Sequence, residues 1–268
     1  SADLIYSNND HAQILRDKVS GVLKPGAKVI LTCLDIPVHL PEVGQYIREW
    51  RGQYLAADAV CSISRFVQSQ LREYMGVESS VIYQPIMGVE YNPSLAAAGF
   101  PRFAHCGRRV DPNKRKSLAD AALQILDYTS EDMALVGQDP GWGDYLGIQS
   151  EPNLNRIYNS VDFVMATSRI EGLSLVPIEA MACGAIPVVC KDMTTRAELF
   201  PPDLFPEYEE VEPNAASIAR FIARFQCEND AMAQFKTRLL NHFDFQWREK
   251  TSGRAVAKAI LDVYGRLA

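Results

Sequence analysis

Several things are scarce in this chain of 268 residues. No apolar stretch approaches the ~20 residues that a membrane-spanning helix needs, and the first residues carry no basic-then-apolar leader pattern. Six cysteines, at 33, 61, 106, 183, 190 and 227, are scattered without a Cys-x-x-Cys pair or a Cys/His cluster. That argues against structural zinc and a disulfide framework, and for buried reduced thiols in a cytoplasmic protein with no metal site. Cationic excess is missing too: 27 Lys and Arg face 33 Asp and Glu, a net charge of -6. Neutralising nucleic-acid phosphates needs a basic surface, so nucleic acid is not an expected partner, while peripheral membrane contact stays open. No internal repeat or low-complexity segment interrupts the chain.

What remains is the composition of a soluble globular protein, 47% apolar and 22% charged, long enough for two modest α/β domains. In the first half, "DLIYS", "KVILTC", "AVCSIS" and "SSVIY" read as strands, separated by helical stretches. One of these, "EVGQYIREWRGQYLAADA", sets Tyr46, Ile47, Trp50 and Tyr54 on a single face, and core packing is preferred there over an acceptor-binding wall. Gly, Pro and small residues then cluster through "GVEYNPSLAAAGFP", the candidate linker. The second half alternates more plainly: "RFAHCG", "MALVG", "DFVMAT" and "IPVVC" as strands, with "SLADAALQILDYT" and "LNRIYNS" as helices. Alternation of this kind predicts parallel sheets covered on both faces, which take ligands at the carboxyl ends of their strands. The fold class expected is α/β with two parallel-sheet, Rossmann-like domains, one over 1–95 and a second over 96–268. The final "FQWREKTSGRAVAKAILDVYGRL" reads as one amphipathic helix that closes the structure and is expected to pack back on the first domain.

The stretch "EGLSLVPIEAMACGAIPVV" places Glu171 in a loop and Glu179 about one turn inside a helix that begins near Ser174, tolerates Pro177 in its first turn and stops at Gly184. A helix start after a parallel strand is a seat for phosphate. Carboxylates repel phosphate, so Glu171 and Glu179 are read as acceptors for hydroxyls on either side of it. Together they describe a sugar nucleotide. The cations lie in "HCGRRVDPNKRKSL": Gly107 ends a strand, Arg108 follows, and Lys114 precedes a helix that Ser117 is placed to cap, with Asp120 three residues on. Arg108 and Lys114 are suited to the charge of a departing diphosphate. Arg109, Arg115 and Lys116 are expected to be solvated.

Taken in order, "GRRVDPNK", "ALVGQDP", "DFVMATSRIEGLSLVPIEAMACGAIPVV" and "MTTRAEL" resemble the nucleotide-binding half of the retaining GT-B glycosyltransferases of family 4, over about Val81 to the C-terminus. The resemblance implies that Arg108 and Lys114 contact the donor diphosphate, Glu171 the donor sugar and Glu179 the ribose. The backbone of Gly172, Leu173, Ser174, Leu175 and Val176 would meet the phosphate, and Gly137 and Gln138 would lie near the base. Arg108, Lys114 and Glu171 are thereby the catalytic candidates. The donor implied is a UDP- or GDP-hexose, with no metal or further cofactor, and the acceptor is a glycan, lipid or small molecule. "MGVEYNP" is similar to the family's interdomain hinge, and "FQW" also matches.

The chain departs from the family at three points. Ser174 stands where Gly is common, tolerable at negative φ. Thr32-Cys33-Leu34-Asp35 stands where many members read Thr-x-His-Asp, which leaves Asp35 or His11 as substitutes for the histidine. The chain begins near the middle of the family's first domain, so a minimal domain, a fragment and a partner chain supplying the rest are all expectations. A noncatalytic sugar-nucleotide-binding subunit is therefore the alternative to an enzyme, and an epimerase on a similar scaffold is less favoured.

Overall fold

The computed structural model describes residues 4–7, 15, 17–18, 20–35, 43–86, 88–107, 111–137, 145–227 and 229–267. They form two compact units, one of residues 1–85 with 250–268 and the other of 86–249.

The first unit is built on a parallel sheet of strands β1 (Leu4–Ser7), β2 (Lys28–Cys33), β3 (Ala59–Ser62) and β4 (Ser80–Val81), in that spatial order. All of β2 beyond its first residue is buried, as a strand covered on both faces must be. Helix α1 (Val43–Ala56) joins β2 to β3, and its Tyr54 is buried. Helix α2 (Arg65–Gln70) follows β3, capped by Ser64, whose hydroxyl accepts from Val67 N at 3.0 Å. It runs on through a π turn, Leu71–Met75, and ends where Gly76 turns left-handed at φ 62°. The C-terminal helix Gly253–Gly265 closes this unit by packing Val263, Val256, Ala259 and Ile260 against Ile30, Cys61 and Ile82. The closing stretch is thus not one helix: Ser252 caps a new one after the π turn Phe243–Trp247.

The second unit holds a five-stranded parallel sheet of β5 (Phe103–Cys106), β6 (Met133–Val136), β7 (Tyr145–Gly147), β8 (Phe163–Met165) and β9 (Ile186–Val188). Its spatial order is β7-β6-β5-β8-β9. The chain winds outward from β5 in one direction and then, after β7, returns to build β8 and β9 on the other side. The order therefore reverses between β5 and β8, and such a switch point opens a crevice outside the strand ends. The crossovers are α3 (Lys116–Ile125), α4 (Glu151–Ser160) and α5 (Leu175–Ala182). A short helix α6 (Arg196–Leu199) and the longer α7 (Ala215–Gln226) and α8 (Asn229–His242) follow β9. Phe205, Tyr208, Phe221, Phe225 and Phe235 form an aromatic core there, with Tyr208 Oη donating to Pro187 O at 2.7 Å.

The division falls ten residues before the boundary read from the sequence, because the segment read as linker is bound into the second unit. Asn155 Oδ1 accepts from Glu90 N at 3.0 Å, Asn159 Oδ1 from Asn92 N at 2.7 Å, and Ser160 Oγ from Ala97 N at 3.0 Å. Three side chains on one face of α4 thus take up the backbone of a segment that has almost no ladder of its own.

Candidate functional site

The described residues of the candidate site gather at the carboxyl ends of β5, β6 and β8, around the switch point. Beyond β5 the chain reaches Gly107 at φ 147°, a conformation that disfavours any side chain. A Cβ there would lie 3.4 Å from Lys114 Cδ, so the bare backbone gives the lysine stem its bed. Gly137, at the end of β6, has φ 155°, and a Cβ on it would collide with the Gly107 carbonyl oxygen. Two strand ends thus approach more closely than side chains allow.

Lys114 closes a short 3₁₀ turn, Pro112–Lys114, which Asp111 caps by accepting from Asn113 N at 2.9 Å. Its carbonyl accepts from Thr167 Oγ1 at 2.8 Å, which ties the turn to the chain just past β8. His105, buried on β5, also hydrogen bonds to the Lys114 backbone. Burial, with Lys116 nearby, pushes His105 down to about 4, so it is neutral at physiological pH. From this support Lys114 Nζ reaches Glu171 Oε1 at 2.6 Å. The pair is largely shielded, with 25% of the lysine side chain and 15% of the glutamate side chain exposed, too little for ordinary surface solvation.

Glu171 lies in the loop from β8 to α5. Ser174, Leu173 and Gly172 are buried, and Ser174 has φ -78°, so a side chain is tolerated where the family often has glycine. No side chain caps α5, and its first turn, with Pro177 inside it, presents the positive end of the helix dipole. The helix stops at Gly184, φ 77°, over which the Tyr91 ring packs. Glu179, one turn in, has its Oε2 hydrogen bonded by Tyr158 Oη at 2.8 Å. Tyr158 lies 3.5 Å from Cys106 Sγ, on the residue before Gly107. Burial raises the Glu179 carboxyl, against the opposing effect of the Tyr158 hydrogen bond. Burial likewise pushes Cys106 up to about 12, so it stays a thiol. Consecutive residues of one strand end therefore lead to both carboxylates: Cys106 through Tyr158 to Glu179, and Gly107 through Lys114 to Glu171.

Of the residues singled out in the sequence, the structure brings Gly107, Gly137, Lys114 and Glu171 together, with Gly172, Leu173, Ser174, Leu175, Val176 and Glu179 on the adjoining loop and helix. Arg108, Gln138, His11 and Arg109 lie outside the described residues. Asp35 is exposed and Leu34 half-buried at the end of β2 in the first unit. Two expectations need correction. Ser117 caps nothing: α3 starts at Lys116, after Arg115 in the left-handed region at φ 49°, and no side chain caps it. Lys116 is buried rather than solvated because it pairs with Asp120 one turn on, and Arg115 pairs with Asp192 at 2.9 Å. Sequence reasoning passed over His105, Asn113, Tyr158, Thr167 and Thr194. Thr194 stood inside the quoted "MTTRAEL", but nothing in that string tells what its hydroxyl would meet.

Among the described residues, no group of three or more His, Cys, Asp or Glu side chains is arranged to hold a metal ion, and no helix is long and apolar enough to cross a membrane.

No curated protein sequence matches the chain. Solved structures do. Sucrose-phosphate synthase from Thermosynechococcus elongatus superposes with a TM-score of 0.78 at 17% identity, over 99% of this chain and 73% of that one. The Anabaena protein HepE in complex with UDP-glucose gives 0.78 at 17% identity, over 98% and 79%. A UDP-forming trehalose-phosphate synthase from Burkholderia xenovorans gives 0.64 at 12% identity, over 95% and 77%. The family model described as glycosyl transferases group 1 matches residues 144–238, a span that holds Tyr158, Glu171, Glu179 and Thr194. The fold is therefore GT-B-like, with two parallel-sheet Rossmann-like units, and its carboxylate-bearing segment matches the group 1 glycosyl transferases.

Proposed function

We propose that this chain is a retaining glycosyltransferase of the family 4 kind, moving a hexose from a nucleotide diphosphate sugar to an acceptor hydroxyl. The observation that carries the reading is the Lys114 Nζ to Glu171 Oε1 contact of 2.6 Å at the switch point, beside the amino end of α5. A lysine has three N–H donors. One is directed at Glu171, and the others are free to meet phosphate oxygens. Glu171 keeps Oε2 for a hydroxyl of the hexose, and Glu179 accepts from the ribose. Backbone N–H groups of Leu173 to Val176 hold the diphosphate, with Arg108 sharing its charge and Gly137 and Gln138 near the base. A UDP-glucose complex of the similar HepE fold supports a donor of this class.

In the reaction, the bond from the anomeric carbon to the diphosphate oxygen breaks as the acceptor oxygen bonds to the same face of that carbon. The departing phosphate oxygen takes the acceptor proton. Negative charge grows on the diphosphate, and Lys114 and Arg108 stabilise it more in the transition state than in the ground state. The scheme requires no protein base and no metal, so Leu34 in place of the family histidine is compatible with it. The donor reading is tested by thermal unfolding with UDP-glucose, GDP-mannose and ADP-glucose. One of them is expected to stabilise the wild type strongly and Glu171→Ala and Glu179→Ala much less; equal shifts in all three proteins reject the assignment.

The second reading is a noncatalytic subunit that binds the same donor and relies on a partner chain. The apolar Leu34 favours it. Donor binding without any release of free nucleoside diphosphate, across glycan, lipid and small-molecule acceptors, would select it.

A further inference from the structure

The loop that carries Glu171 has no secondary structure of its own, yet the backbone of Arg169, Ile170 and Glu171 is completely paired, and by only two neighbours. Asn113 O accepts from Arg169 N at 3.1 Å, and Thr194 N donates to Arg169 O at 3.0 Å. The Asn113 side chain takes both groups of Ile170, accepting from its N at 2.8 Å and donating to its O at 2.7 Å. The Thr194 hydroxyl takes both groups of Glu171 in the same way, accepting from its N at 2.9 Å and donating to its O at 2.8 Å. Partly buried backbone groups must find partners, and a loop normally finds them in water or in its own turns. Here each of two side chains reproduces the two-point pairing of a strand neighbour on one residue.

We propose that Thr194 and Asn113 are positioning residues that together hold the Glu171 carboxylate in register with Lys114, and that Thr194 sets the affinity for the hexose part of the donor. The inference rests on the donor reading above. Asn113 directly precedes Lys114, so its bracket spans both the cation and the carboxylate. The Thr194 hydroxyl, by contrast, pairs with the Glu171 backbone and not with the Lys114 turn. Loss of the Thr194 hydroxyl frees the peptide that aims the carboxylate and leaves the Lys114 turn, with its hold on the diphosphate, in place. The consequence is a separation that a general loss of structure would not produce: hexose recognition falls while nucleotide recognition stays.

The test is calorimetric binding of three pairs, UDP with UDP-glucose, GDP with GDP-mannose and ADP with ADP-glucose, to wild type, Thr194→Val and Thr194→Ser. In the wild type one sugar nucleotide is expected to bind more tightly than its bare diphosphate. Thr194→Val is expected to lower that ratio about tenfold with the diphosphate affinity unchanged, the loss expected for one or two hydrogen bonds. Thr194→Ser, which keeps the hydroxyl, is expected to restore it. A ratio retained in Thr194→Val, or lost equally in Thr194→Ser, overturns the proposal and leaves the donor reading intact. A wild type that binds none of the six, or gains nothing from the hexose, overturns the donor reading and this inference with it. If Thr194→Val does not fold, amide hydrogen exchange in the ligand-free wild type decides: the 170 and 171 amides are expected to be protected like strand amides, and exchange at the rate of an unstructured peptide would refute the bracket.

Discussion

Lys114 and Glu171 differ in what each does as the reaction proceeds, and their variants are expected to differ accordingly. A cation that meets growing charge on the leaving group acts mainly in the transition state. Lys114→Ala should therefore lower kcat about 100-fold or more and raise KM little, the range seen when one such donor is removed. Glu171 holds a sugar hydroxyl in both states, and Glu171→Gln should raise KM for the donor several-fold with a smaller effect on kcat. Steady-state kinetics on the two variants, with the donor that stabilises the wild type, checks the contrast.

Glu179 and His105 give the site two pH signatures of opposite sign. The folded Glu179 carboxyl is raised above its ordinary value of 4.5, so the native state holds that proton more tightly than the unfolded chain. Its contribution to stability is greatest below that value and is lost as pH rises through the folded pKa. A ribose that donates to Glu179 favours the ionised form, so donor binding should release a proton and tighten with rising pH across that window. Calorimetry in buffers of different ionisation enthalpy checks this, and Glu179→Gln should abolish the release. His105 is lowered from 6.5 to about 4, so the native state refuses a proton that the unfolded chain accepts. Stability is full above 6.5 and falls as pH drops toward 4, by on the order of 3 kcal/mol. Denaturant titrations of His105→Gln between these limits should show that dependence gone, with a lower plateau from the lost hydrogen bond.

At the scale of elements, the glycines at the ends of β5 and β6 work as one device. A Cβ at 137 meets a carbonyl oxygen, not the movable tip of a side chain, so the two strand ends must part if it is added. Gly137→Ala is expected to cost ~3 kcal/mol, more than an ordinary glycine change, and to weaken nucleotide binding as well. Urea unfolding and a binding titration measure the two effects. Strand and helix positions here were legible in the sequence because strands covered on both faces read as apolar runs: "RFAHCG", "MALVG" and "DFVMAT" became β5, β6 and β8. The start and stop of α5 were legible too, from Pro177 and Gly184. What escaped depends on contacts between distant residues. Asn155, Asn159 and Ser160 take the segment from Glu90 to Ala97 into the second unit, and no local property of "VEYNPSLA" announces that. Lys116 is buried because Asp120 lies one helical turn away, against the usual habit of lysine. Thr194 is an ordinary threonine until Glu171, twenty-three residues earlier, folds against it.

The molecule as a whole carries an acidic excess of 6, while the site proposed for an anionic diphosphate relies on Lys114, shielded beside Glu171 at a sheet end. Recognition is thus expected to be local and resistant to salt, as for a shielded pair rather than a steering surface field. A ligand at 100 times its Kd stabilises the native state by ~2.7 kcal/mol, which for a protein of this size is a rise in Tm of roughly 5–10 °C. The true donor should produce a shift of that order, and raising salt from 50 to 300 mM should change it little.

The strand order of the second unit has a practical consequence. Lys114 follows β5 and Glu171 follows β8, and between them the chain travels out to β7 and back across the sheet. At Ile148, just after β7, the backbone is exposed and free of regular structure. A polypeptide severed there would bear the cation on one fragment and the carboxylate on the other. Their complementation, read as recovered nucleotide-sugar capture, would make this protein a split reporter in which a shared sheet supplies the adhesion and neither piece gives signal alone.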